Sequence, residues 1–206
     1  MPRTSHDRRL TLADIEDLRA YERSRDSYRA RVIELKRRRR VAVGPIITLL
    51  FENRETIRFQ VQEMARVEKM ISDDQIQGEL DVYNPLIPAP GELSATLFVE
   101  LTSEAAMREW LVKLVGIERS VEIQMGERPV AVGSVVRSLP EKAHEEALTR
   151  EAITASVHYV RFVFTDDQVE RFAQGPVSVA VEHPEYTERT SLTDETRAEL
   201  LSDLRP

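Results

Sequence analysis

Two histidines carry the sharpest chemical signal in this chain. His158 alternates with Val160, Phe162 and Phe164, and His183 alternates with Val177, Val179 and Val181. Residues two apart share one face of a strand, so both imidazoles are expected on the apolar side. If those strands are neighbours, the two rings could hold a metal together with a carboxylate from the block at 52–92. The plainer alternative is a pair of hydrogen-bonded core histidines. A di-iron bundle needs Glu-x-x-His on two helices. Only Glu141-Lys142-Ala143-His144 fits that spacing.

Carboxylates come next. Glu52, Glu63, Glu68, Glu79, Glu92 and Glu100 crowd the block from 51 to 101. Glu68 falls beside Met64 and Ile71 on the apolar side of its predicted helix, where a carboxylate needs a raised pKa or a cationic partner. Two such groups could do acid–base work. The competing reading pairs Glu63 with Arg66 and Glu55 with Arg58, three residues apart on a wet face. Together Glu52, Gln60, Glu63, Glu68, Tyr83 and Asn84 form a candidate ligand-binding set for a small molecule.

Other chemistry is excluded or unsupported. The chain has no cysteine, hence no disulfide, thiolate metal site or cysteine nucleophile. Its seven glycines fall at no nucleotide-loop spacing, and no nucleophile elbow is present. No catalytic signature stands out, and no cofactor is indicated.

The elements that must position these residues begin with a charge boundary. Residues 1–40 carry 13 Lys/Arg against 7 Asp/Glu, whereas residues 41–206 carry 16 against 29. A net of +6 therefore precedes a net of −13. We read residues 1–40 as a basic amphipathic helical arm and residues 41–206 as a single acidic α+β domain. Lys36, Arg37, Arg38, Arg39 and Arg40 end the arm. They suit a helix C-terminus and are expected to meet an acidic surface, the chain's own or a partner's. The acidic body would repel phosphate, which argues against nucleic acid.

Thr11-Leu12-Ala13-Asp14 reads as a capping box opening one long helix. Val41–Phe51 reads as a strand with an irregularity at Gly44-Pro45. Helices follow at 53–71, from Ser72 to about Tyr83, from Ser103 to about Val115, after Thr165, and over 194–204. Strands are expected at 93–101, 154–164 and 177–181. A hairpin is expected between 121–125 and 130–132, and 138–150 looks loose. Interleaved helices and strands without regular βαβ spacing predict α+β, with a mainly antiparallel or mixed sheet and packed helices. No apolar run is long enough to span a membrane and no secretory signal is visible, so cytoplasmic residence is the expectation.

Several phrases together resemble an uncharacterised bacterial family, domain of unknown function 3501. They are Arg39-Arg40-Val41-Ala42-Val43-Gly44 to Thr48 and Phe51-Glu52-Asn53-Arg54-Glu55-Thr56, then Gln60-Val61-Gln62-Glu63-Met64 with Arg66 and Glu68. Next come Glu79-Leu80 with Tyr83-Asn84 and Leu86-Ile87-Pro88, and Glu92-Leu93-Ser94-Ala95-Thr96-Leu97. His158-Tyr159-Val160-Arg161-Phe162 and His183-Pro184-Glu185-Tyr186 complete the set. The resemblance implies a genomic setting beside rubrerythrin-like proteins and iron–sulfur oxidoreductases, near peroxide handling or electron transfer. The leading expectation is thus a non-catalytic accessory protein that docks through Lys36–Arg40 on an iron–sulfur or rubrerythrin-like redox partner. A metal-binding protein or enzyme using His158 and His183, and a small-molecule binding module, are the alternatives.

Overall fold

The computed structural model describes residues 8–127, 130–141, 149–150 and 153–205. Among them are six α-helices and two larger sheets, and every strand pairing is antiparallel. The expected α+β class is observed. The first sheet runs β1 (Arg40–Val43), β2 (Ile47–Glu52), β3 (Glu92–Val99), β9 (Val157–Val163), β6 (Leu139–Pro140). The second runs β11 (Tyr186–Ser191), β10 (Val177–His183), β4 (Val121–Met125), β5 (Val135–Arg137). A short ribbon joins β7 (Thr149–Arg150) to β8 (Ile153–Thr154).

Alternation sets what each sheet face does. Register aligns Leu49 with Leu97 and His158, and Phe51 with Ala95 and Val160. These inward rows join Val121, Ile123, Val179 and Val181 of the second sheet in one apolar core. The outward rows of the first sheet are Thr48/Phe98/Val157, Leu50/Thr96/Tyr159 and Glu52/Ser94/Arg161. Over that outward face lie α1 (Leu18–Arg39), α2 (Arg54–Val67) and α3 (Asp73–Tyr83), where Ile57, Val61, Leu80 and Leu86 form a second apolar cluster. The remaining helices are α4 (Glu104–Lys113), α5 (Asp166–Gln174) and α6 (Asp194–Leu204).

Several sequence expectations need correction. Val41–Phe51 is two strands, paired as a hairpin about Gly44-Pro45. Gly44 sits at φ +69, and a side chain there would collide with the Tyr186 hydroxyl and with Glu188. The Tyr186 hydroxyl donates to the Val43 carbonyl at 2.6 Å, which fixes that close approach. The strand returning from β4 is Val135–Arg137 instead of 130–132.

The helix predicted from Thr11 is interrupted. Thr11 caps only a 3-10 turn over Leu12–Asp14, and Asp17 caps α1 by accepting from the Ala20 amide. Tertiary partners claim the backbone that a continuous helix would use internally. Gln62 accepts from the Glu16 amide and donates to the Glu16 carbonyl, both at 2.9 Å. Just before the cap, Asn84 holds Leu10 in the same two-point way, at 2.8 and 2.9 Å. Buried amides satisfied this way hold an extended segment where propensity alone favoured helix.

Candidate functional site

The basic run is met by the chain's own carboxylates. Arg37 pairs with Glu34 and Glu195, Arg38 with Glu34 and Glu199, and Arg40 with Glu100. Arg39 is fully buried. It donates to the Phe51 carbonyl at 2.8 Å, the Glu52 carbonyl at 3.0 Å, Glu199 at 3.1 Å and Asp203. As a partner-facing residue Arg39 is therefore a correction: it is the bolt between α1, β2 and α6. Lys36 lies half-buried with its ammonium 5.4 Å from the Phe59 ring centre. Helix α1 lies against the body, with Tyr21, Tyr28 and Val32 buried.

The two histidines do point to the apolar side of their strands, but those strands belong to different sheets. The His158 Nε2 bonds Thr154 Oγ1 at 2.7 Å and the Ala155 carbonyl at 3.0 Å. Burial holds its pKa below the ordinary histidine value, against the pull of Glu118. The His183 Nε2 meets the Val115 carbonyl at 3.1 Å, and its Nδ1 accepts from the Glu185 amide at 3.2 Å. Strand adjacency, the premise of the His158/His183 metal site, fails. Among the described residues no three histidine or carboxylate side chains are disposed to hold a metal. Glu141 pairs with Arg161, and His144 lies outside the described residues.

The six predicted ligand residues divide three ways. Glu63 and Glu68 are not brought to a common site. Glu63 belongs to the α1–α2 interface, where Arg25 grips both its oxygens at 2.9 Å and the Tyr21 hydroxyl donates at 2.6 Å. Arg25 holds its pKa down to about 2, burial opposes this, and Tyr21 and Arg66 add to the lowering. Glu68 is exposed, which corrects its expected place on the apolar face. Helix α2 ends at Val67, and Lys69 adopts φ 54. That left-handed residue turns Met70 inward and leaves Ile71 88% exposed. Asn84 is consumed as the clamp on Leu10.

Glu52, Gln60 and Tyr83 do converge. They line a cleft of about 140 Å³ on the outward face of the first sheet, with Lys36, Thr56, Thr96 and Tyr159. Leu50, Ile57, Leu86, Phe98 and Val157 supply its apolar walls. The floor is the outward row Leu50/Thr96/Tyr159 and its neighbours, and the roof is α2 with the end of α3.

Glu52 anchors the polar side of this cleft. It is the last residue of β2 and 7% exposed. Thr96 donates to one carboxylate oxygen at 2.6 Å and Thr56 to the other at 2.5 Å. Thr56 is held in turn by the capping box that starts α2, where its hydroxyl accepts from the Asn53 amide at 2.9 Å. Among the described residues no Lys or Arg reaches ion-pair distance of Glu52, whereas Glu63, Glu92 and Glu122 are each paired with an arginine. Tyr159 is kept protonated: burial foremost, then Tyr83 and Glu52, push its phenol up. Thr56, Thr96 and Tyr159 were missed as site residues. Thr96 already stood on the polar face of a strand read from alternation, whereas Thr56 and Tyr159 become visible only through register.

Fold and cleft together define an antiparallel α+β protein with a small pocket built on one sheet face. The chain belongs to the family described as "Protein of unknown function (DUF3501)", whose sequence profile it matches over residues 9–204. It is also similar to the crystal structure of a "novel protein of unknown function" from Burkholderia pseudomallei K96243. The two share 35% identity with a TM-score of 0.84, over 95% of this chain and 98% of that one. Among curated proteins the chain finds no match. Among the described residues no helix is long and apolar enough to cross a membrane.

Proposed function

We propose that this protein binds a small organic molecule in the cleft between the first sheet and helices α2 and α3. One observation carries the reading: a buried carboxylate, Glu52, opens on an apolar-walled cleft with no counter-cation among the described residues. Burying a charge is expensive unless it is paired. Pockets for small molecules typically combine apolar walls with a few converging polar groups, and Glu52, Gln60, Tyr83 and Tyr159 make that combination here. Gln60 adds to it, because its side chain makes no hydrogen bond with another described residue. Docking of a redox partner through Lys36–Arg40 draws no support from this geometry, because the arginines are already paired. A metal on His158 and His183 draws none, because the rings are separately satisfied.

The test is thermal unfolding in the presence of a metabolite library. A compound at one hundred times its Kd should stabilise the protein by about 2.7 kcal/mol. Gln60→Trp, which fills the cleft from its half-exposed edge, should lose that response. Equal stabilisation of both proteins, or no stabilisation by any compound, rejects the reading.

A further inference from the structure

Resting on the cleft as a binding site, we infer that its ligand carries a primary ammonium group, seated on Glu52, joined to a short apolar body. The donor count leads there. The Thr96 hydroxyl donates to one Glu52 oxygen, and the Thr56 hydroxyl, which also lies 3.1 Å from the Asn53 carbonyl, makes its shortest contact with the other, leaving one further acceptor site on each carboxylate oxygen. An ammonium has three donors and no acceptor, so it completes Glu52 and has one donor left for the Gln60 carbonyl or a tyrosine oxygen. A carboxylate or phosphate ligand would bring a second negative charge into the same desolvated space. A neutral alcohol would leave the buried charge uncompensated.

The surroundings agree with a cation. Tyr83 and Tyr159 line the cleft, and aromatic faces attract ammonium groups; Phe98 also lines it, with the Arg40 guanidinium 5.4 Å from its ring centre. Lys36 contributes to the lining, but its own ammonium is drawn to Phe59, which does not line the cleft. Its stem thus walls the cleft while its charge stays outside ion-pair reach of Glu52. The apolar walls Leu50, Ile57, Leu86 and Val157 limit the rest of the ligand to a compact hydrocarbon body.

The experiment uses three probes of one shape: benzylammonium, benzyl alcohol and benzoate, each titrated into the full chain and followed by NMR shifts of cleft residues. Benzylammonium should bind at least about tenfold more tightly than either of the others, because charge-assisted hydrogen bonds exceed neutral ones. Glu52→Gln should lose that preference. Gln60→Lys, at a half-exposed position that does not endanger folding, should exclude benzylammonium by placing a tethered ammonium in the cleft. Alcohol or benzoate binding as well as the amine would overturn the ammonium assignment and leave the cleft as a binding site. Failure of all three probes would overturn the ammonium assignment, and the metabolite library then decides whether the cleft is a binding site.

Discussion

Arg39 and Glu52 are both buried charges, 13 residues apart, and Arg39 donates to the backbone carbonyl of Glu52 itself. Their side chains are treated in opposite ways. Arg39 is met on every side by two carbonyls and two carboxylates from α6. Glu52 is met by two hydroxyls and otherwise faces a cleft. The first arrangement is closed and explains architecture: it fastens the first long helix to the last. The second is open, and an open buried charge has its use in what arrives from outside. Burial alone does not distinguish a structural charge from a functional one; the presence of a counter-charge does.

Breaking the closed side should have the largest effect. Arg39→Met strands Asp203 and Glu199 against α1, and losing one member of a buried charge network costs about 3–5 kcal/mol. Burial already pushes the Asp203 carboxyl up, with Arg39 as the opposing influence. Urea denaturation should show the loss as a lower midpoint. A midpoint equal to wild type would mean that Arg39 is no bolt.

The α1–α2 pair Arg25–Glu63 sharpens the contrast through pH. Glu63 is held at about 2 in the folded chain against an ordinary 4.5. Between those values the unfolded chain takes up a proton that the folded chain refuses. Stability from this group is therefore present above about pH 5 and is lost as pH falls toward 2. Glu63→Gln should flatten that part of the stability–pH curve, and a curve of unchanged slope would contradict the pairing. At the small end stands Arg37, 56% exposed and paired with exposed Glu34 and Glu195. Arg37→Gln should change the unfolding free energy by less than about 1 kcal/mol. A larger loss would show that the exposed arginines share the work of Arg39.

Much of the fold was legible because its signals are local. Capping boxes at Ser72 and Thr165 opened helices where expected, and alternation along 93–99 and 157–163 placed the inward rows correctly. The failures were tertiary. Thr11 carries a valid capping box, yet Gln62, 46 residues from its target Glu16, claimed the backbone beyond it. The strand Tyr186–Ser191 carries five polar side chains in a row from Thr187 and was invisible to an apolar pattern. For the site, Glu52, Gln60 and Tyr83 were in the candidate set, but so were Glu63 and Glu68, because composition lists carboxylates without saying which are already paired. Arg25 held the missing clue: a cation interrupting the apolar stripe of α1 needs an anion opposite, and that anion is Glu63.

The Arg39 bolt also fixes an order of events in the cell. Its carboxylate partners lie 160 and 164 residues further along the chain. At a synthesis rate of roughly 5–20 residues per second, α1 leaves the ribosome roughly ten to thirty seconds before they exist. During that interval the guanidinium has only the carbonyls at the end of β2 to hold it. Nascent chains stopped before α6 should consequently carry a loose first helix and present themselves to chaperones, and the synthesis of α6 is the step that shuts the molecule.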